Sequence, residues 1–163
     1  MTSLAADLPQ ALSEVRTRAL FTLQLTVSGM LAVGETPAAH RRVGLVAGGR
    51  FEGERLSGEV LGGGSDWQDL RPDGALSLDV RLHLKTDDGA LITMAYQGLR
   101  HGPPEVIAKL DAGEPVDPAL YYFRITPRFE TAAPRYAWLN RILAIGLGHR
   151  PPEGPLYNLF EVI

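Results

Sequence analysis

Hydrophobic and polar positions alternate along most of this chain, and that alternation predicts strands. From Phe21 the apolar positions are Phe21, Leu23, Leu25 and Val27, with Thr22, Gln24 and Thr26 between them. A loop is expected around Gly29 to Pro37, then a second strand over His40–Ala47 and a third over Leu56–Leu61. Ala75–Lys85 is the clearest strand: Leu76, Leu78, Val80, Leu82 and Leu84 face one way, and Ser77, Asp79, Arg81, His83 and Lys85 the other. Asp87-Asp88-Gly89 reads as a hairpin turn, because Asp-Gly tolerates positive φ. Leu91–Gly98 returns as its partner, with Ile92, Met94 and Tyr96 on one face.

Further on, prolines 103, 104, 115 and 118 bracket a short helix over Pro104–Asp111. Leu120–Thr126 is a strand cut by Pro127, and Pro134–Leu139 is one helical turn. Arg141–Leu147 and Leu156–Ile163 form a closing pair. Residues 1–15 make a short arm or helix, with Ser3 as its cap and Pro9 early. The pattern predicts one all-β domain over residues 1–163, with about eight sequentially joined, mostly antiparallel strands. Closure into a barrel removes unpaired edges, so a barrel is favoured over a two-sheet sandwich. An eight-stranded barrel is filled by side chains or holds one small ligand.

Composition narrows the function. The net charge is −3 and no basic stripe is visible, which argues against nucleic acid as a partner. There is no cysteine, hence no thiolate nucleophile or thiolate metal site, as suits a cytoplasmic protein. Met1–Gln10 carries Asp7 and lacks a basic start followed by an apolar run, so no secretory signal is expected. No apolar stretch reaches the length of a membrane span, so no membrane partner is expected either. His40, His83, His101 and His149 are scattered, so no metal site is expected. The glycine run lacks the Lys-Ser/Thr of a phosphate loop, and no Gly-x-Ser-x-Gly elbow is present.

The candidate chemistry lies elsewhere. Six glycines, at 48, 49, 53, 62, 63 and 64, surround the third strand and lead into Asp66-Trp67. A carboxylate beside an aromatic can stack a planar substrate and move its proton, or can be a turn acid beside a plug. Asp79 and Arg81 form a polar patch if their face lines a cavity, and an ordinary exposed pair if it does not. His83 shares that face without a partner motif. Arg124, between Tyr122 and Thr126, needs an anionic partner if buried, with Asp66, Asp79 and Glu130 as candidates. Trp138 and Asn140 follow Glu130 in a compact segment that could cap a barrel mouth. Tyr96 could be an acid or anchor in an apolar pocket. The expected catalytic set is therefore Asp66, Tyr96, Arg124 and Glu130, with Arg50, Trp67, Asp79, Arg81, Trp138 and Asn140 binding substrate.

The stretches GGRFEGERLSGEVLGGGSDWQ (48–68), DVRLHLKTDDGALI (79–92), YFRITPRFETAAPRYAWLN (122–140) and LYNLFEV (156–162) resemble the domain-of-unknown-function 3237 family. The resemblance runs from about Leu20 to the C-terminus. It implies a small barrel of lipocalin-like or allene-oxide-cyclase-like form. Some fungal relatives look like ring-closing enzymes that need no cofactor, although one fold hosts many functions. Leu82 departs from the pattern, standing where the family often has tyrosine.

Together these readings lead to a cofactor-independent enzyme acting by proton transfer on a small, largely apolar oxygenated molecule. Isomerisation, cyclisation and addition or elimination of a hydroxyl all fit. A binding protein for a small aromatic ligand without turnover, and a filled structural barrel, are the other readings. A homodimer is expected, paired through outward apolar residues of the sheet.

Overall fold

The computed structural model describes residues 3–163; Met1 and Thr2 of the expected arm lie outside the described residues. Eight antiparallel strands close a barrel in sequence order, each pairing with its chain neighbours, and β1 pairing with β8. They are β1 (Thr17–Glu35), β2 (His40–Glu52), β3 (Ser57–Leu70), β4 (Leu76–Thr86), β5 (Leu91–His101), β6 (Tyr122–Glu130), β7 (Leu143–His149) and β8 (Leu156–Val162). Helix α1 (Pro104–Asp111) fills the β5–β6 connection, and a 3-10 segment (Pro134–Arg141) fills the β6–β7 connection. The N-terminal arm is an exposed series of turns with one short 3-10 helix, Gln10–Leu12.

Three expectations change in detail. The loop expected at 29–37 is mostly strand, since β1 runs on to Glu35 through irregular registers at Thr26/Val27, Val27/Gly29 and Ala32/Gly34. The third strand, expected to end at Leu61, continues to Leu70 across the glycines, with a register shift between Leu61 and Ser65. Pro127 does not cut β6. It pairs with Tyr96 of β5, and the register with β7 ends at Ile125, so its missing N–H breaks no ladder bond on that side.

Apart from Gly53, the glycine run lies within the long strands β2 and β3 and lets their backbones pack closely. At Gly49 φ is +150°, and an added Cβ would lie 2.1 Å from the Gln24 carbonyl oxygen. Close approach of this kind lets long strands bend around a narrow barrel.

The interior divides into two halves. The lower end, where β2 turns into β3 and β4 into β5, is apolar. Phe21 packs against Phe51 at 5.3 Å and edge-on to Phe129 at 5.8 Å between ring centres. Leu20, Leu56, Val60, Leu84 and Ile92 complete this layer. Each such buried side chain contributes about 1.5–3 kcal/mol. Tyr136 and Leu139 of the 3-10 segment close this end, and the Tyr136 hydroxyl donates to Asp88 Oδ1 at 3.0 Å. Trp138 packs against the same cluster with the Arg55 guanidinium 4.0 Å above its ring. The upper end, beside α1, is polar.

Two of the three inward positions on β7, Gly146 and Gly148, are glycines because β6 presents large side chains opposite them, and the third is Ala144. A Cβ on Gly148 would lie 2.6 Å from the Phe123 ring, and one on Gly146 would lie 2.5 Å from Ile125. Gly148→Ala is expected to destabilise the barrel by about 1–3 kcal/mol in urea denaturation. Gly29→Ala, where a Cβ meets nothing within 4 Å, should stay within about 0.5 kcal/mol of the parent. Equal effects would remove the packing argument.

Candidate functional site

Strand alternation brings a polar group to the upper half of the interior. Asp66 of β3, Val80 of β4 and Tyr96 of β5 are cross-strand partners in one row. Asp66 and Tyr96 are both 2% exposed. Gly44 sits opposite Asp66 on β2, and a Cβ there would touch the Asp66 Cβ at 3.4 Å. Two residues along their strands, towards the upper end, the inward positions are Gln68 and Gly98, and beyond Gly98 comes Arg100.

A directed chain of hydrogen bonds ends at Asp66. Arg42 Nε donates to Gln68 Oε1 at 2.7 Å, and Gln68 Nε2 donates to Asp66 Oδ2 at 2.7 Å. A guanidinium only donates, so it fixes which end of the Gln68 amide faces Asp66. Asp66 Oδ1 is buried with no partner. Burial pushes the Asp66 carboxyl above its ordinary value. The Gln68 bond and the charges of Arg100, Arg42 and Arg150 pull it down without cancelling that. In the neutral acid Oδ2 is already an acceptor, so the proton belongs on Oδ1.

Tyr96 and Tyr157 complete the row. Tyr96 donates to the Tyr157 hydroxyl at 3.1 Å, with the rings edge-on at 5.5 Å. Burial raises both phenols above their usual value, the nearby Asp66 adding to the effect, so both stay protonated. Two hydroxyls sharing one hydrogen bond leave one O–H free to donate.

Arg100 is the third element. Its side chain is 9% exposed, and one Nη donates to Asp111 Oδ1 at 3.3 Å while Nε has no partner. Burial lowers its value and Asp111 partly restores it. Beside it the Tyr121 hydroxyl accepts from the Arg150 backbone N–H at 2.9 Å and lies 3.0 Å from His149 Nδ1. A cavity of about 140 Å3 lies beside Arg100, lined by Arg42, Leu70, Leu76, Ile107 and Asp111 among others; Asp66, Tyr96 and Tyr157 do not line it.

Of the ten residues expected at the site, the structure brings Asp66 and Tyr96 together inside. The other eight lie elsewhere. Trp67 is the neighbour of Asp66 and therefore on the opposite face, 48% exposed, with Arg41 at 5.5 Å over its ring. It lines an outer groove of about 550 Å3 with Asp79 and Arg124. Arg124 points outward, lies 5.0 Å over Tyr122 and donates to the Phe123 carbonyl at 2.9 Å. Arg81 faces outward beside Asp79, on a second groove of about 500 Å3 over the gap between β6 and β7. Glu130 and Asn140 line a third outer groove, where Asn140 brackets Thr131 through its N–H at 2.8 Å and its carbonyl at 2.9 Å. Arg50 is exposed on the outer wall near Glu153. Trp138 plugs the lower end, away from Asp66. The residues that sequence reasoning missed are Arg42, Gln68, Arg100 and Tyr157. The signal for three of them was present: Gln68 is two positions from Asp66, Arg100 continues the Ile92–Met94–Tyr96 face, and Tyr157 shares a face with Leu159.

Among the described residues no three His, Asp or Glu side chains are grouped to hold a metal ion, and no helix is long and apolar enough to cross a membrane.

The sequence profile of the family described as "Protein of unknown function (DUF3237)" matches residues 15–162. A UPF0311 protein from Rhodopseudomonas palustris strain TIE-1 is 38% identical over 149 residues, covering 91% of this chain and 97% of its own. A conserved protein of unknown function from Rhodopseudomonas palustris has a crystal structure that superposes with a TM-score of 0.89 at 37% identity, over 92% of this chain and 99% of that one. A beta-barrel like protein from Acinetobacter baumannii AYE gives 0.80 at 36% identity, over 92% and 97%. The crystal structure of an enzyme from Penicillium herquei shares the fold, with a TM-score of 0.72 at 20% identity, over 96% and 100%.

The raised Asp66 carboxyl has a consequence for stability. Its folded value lies above its unfolded value of about 3.9. The stability it contributes is full below the unfolded value and is lost as pH rises through the folded one. Asp66→Asn mimics the neutral acid and removes this titration. The stability advantage of Asp66→Asn over the parent should therefore grow as pH rises above about 4, by at most about 1.4 kcal/mol per unit, and then level off. Urea denaturation across a pH series reads it. A difference constant with pH would show that Asp66 is not raised.

Proposed function

The chain belongs to the DUF3237 family, and on that premise we propose that the upper half of its barrel is an acid–base site. Asp66 exchanges a proton there with a small oxygenated molecule. The observation that carries this reading is the single free oxygen of Asp66, buried, with its partner oxygen held by Gln68, whose amide is in turn held by Arg42. A carboxyl fixed by one oxygen presents the other in one orientation, as proton transfer requires.

Each group has a separable role. As an acid, Asp66 gives its Oδ1 proton to the substrate, and the carboxylate left behind is steadied by Arg100, Arg42 and Arg150. As a base, it takes a proton from a carbon or hydroxyl. The free O–H of the Tyr96–Tyr157 pair donates to a substrate carbonyl and stabilises the enolate or phenolate oxygen that forms. In an isomerisation or ring closure, the proton taken at one atom is returned at another. Such a reaction consumes no oxidant or reductant. The fold shared with an enzyme from Penicillium herquei supports a catalytic reading of such a barrel. A homodimer remains part of the proposal, supported by the apolar row Leu143, Ile145 and Leu147 exposed along β7. Light scattering at micromolar concentration should give twice the chain mass, and a monomer mass would remove it.

The test of the chemistry is solvent exchange. Phenolic and enone compounds are incubated with the protein in D2O, and deuterium entering carbon positions next to the carbonyl is followed by NMR. Asp66→Asn should slow the exchange by about 100-fold or more. Compounds that bind with saturation but exchange no faster than in buffer would leave a binding protein without turnover. Exchange that survives Asp66→Asn would place the chemistry elsewhere.

A further inference from the structure

Two arginine forks in this barrel are occupied differently. Arg41 on the outer wall holds Asp69 through Nε and one Nη, both at 2.7 Å, which is a complete side-on bidentate pair. Arg100 at the upper mouth has the same fork half made. One Nη reaches Asp111 at 3.3 Å and its Nε–H has no partner, although the side chain is nine-tenths buried. Burying a guanidinium donor unpaired is costly, and an acceptor from outside the chain would remove that cost.

The surroundings say what that acceptor is. The cavity of about 140 Å3 beside Arg100 has apolar walls from Leu70, Leu76 and Ile107. That is close to the ~150 Å3 cavity that accepts one benzene ring. Its charged lining is cationic in balance. Arg42 and Arg100 both face it, and Arg150 is close enough to act on Arg100. Asp111 is the acidic group that lines it, half exposed at the end of α1, and it also lies 3.9 Å from Arg42. One carboxylate therefore stands loosely between two guanidinium groups.

We infer that this mouth is a carboxylate-binding site for a small organic acid with a flat apolar body, in which Asp111 occupies part of the ligand's place. The ligand's carboxylate completes the Nε/Nη fork of Arg100, with Arg42 beside it. Its body lies against Leu70, Leu76 and Ile107. This inference rests on the acid–base reading only in making the bound acid the substrate. Its anion stays at the mouth, in the same upper half of the barrel as Asp66.

Benzoate and its neutral analogue benzamide are the probes, with binding read by calorimetry or NMR titration on the full-length protein. Benzoate should bind saturably at millimolar concentration, and benzamide at least about tenfold more weakly. Arg100→Lys should lose about tenfold for benzoate, since an ammonium cannot form the fork. Asp111→Asn should bind benzoate more tightly than the parent, because it removes the internal competitor. A gain of that kind cannot come from misfolding. Absent benzoate binding, equal affinity for the two probes, an unimpaired Arg100→Lys protein or an unimproved Asp111→Asn protein each overturns the inference. The two proposals are read separately, one by deuterium exchange and the other by benzoate affinity. Asp66-dependent exchange without carboxylate selectivity sinks this site alone, and carboxylate selectivity without exchange sinks the acid–base reading alone.

Discussion

The pairing of β1 with both β2 and β8 is the constraint on which everything else rests. It turns an open meander into a closed sheet and so gives every strand one inner and one outer face. Without closure, the difference between Asp66 and Trp67 would be a matter of which side happened to be covered. With it, one residue is sealed inside and its neighbour is on the wall. Closure also accounts for the glycines. A nineteen-residue β1 can follow a narrow barrel only by bending, and Gly49 lets the β1 and β2 backbones approach where any side chain would strike the Gln24 carbonyl. The seam between β6 and β7 is the least paired, with only two partnered positions, and Pro127 lies just beyond it.

Closure alone would be satisfied by an apolar interior, and the lower half shows that this sequence can make one. Phe21, Phe51 and Phe129 fill it, and the 3-10 segment seals it. The upper half departs from that solution. Leaving a buried polar atom unpaired costs about 1–3 kcal/mol, and replacing buried charges by well-packed apolar groups is often neutral or stabilising. Asp66 and Arg100 each keep such an atom. Stability therefore does not account for them. A partner from outside the chain for these two atoms is what the proposed function supplies.

This division also explains what was legible in the sequence. The strands, the β4–β5 turn and helix α1 were readable because period-two alternation, Asp88-Gly89 and the flanking prolines are local signals. The candidate site was readable only where alternation was followed to its end. Tyr96 was placed with Ile92 and Met94, and the same face reaches Arg100 four residues on. Asp66 and Trp67 were grouped because they are adjacent, yet adjacency in a strand means opposite faces. Arg124 drew attention because it sits between apolar neighbours, but those neighbours, Phe123 and Ile125, are the inward ones. Arg42 had no local signal. Its partner Gln68 is twenty-six residues away, and only the β2–β3 register joins them.

The hydrogen-bond inventory of the upper half has a sign. When protonated, Asp66 has one O–H to give, the Tyr96–Tyr157 pair has one to spare, and Arg100 has an unused Nε–H. Three acceptors are already engaged: Gln68 Oε1 by Arg42, Asp66 Oδ2 by Gln68, and the Tyr121 hydroxyl by the Arg150 backbone. On the proposed acid–base reading, a surface with donors left over in this way favours an acceptor-rich partner. It rejects one that brings more donors, because those would be buried unpaired. Oxygen in carbonyl, phenolate or carboxylate form meets that requirement, whereas an amine does not. The one-way relay from Arg42 through Gln68 maintains this bias. A reversed Gln68 amide would point donors at Arg42 and an acceptor at Asp66. That would draw the proton of a neutral Asp66 onto Oδ2, against Gln68, and leave the unpaired oxygen without one. The orientation of a single amide, set by a residue on the neighbouring strand, thus decides which oxygen of Asp66 is left unpaired and whether it can carry the acid proton.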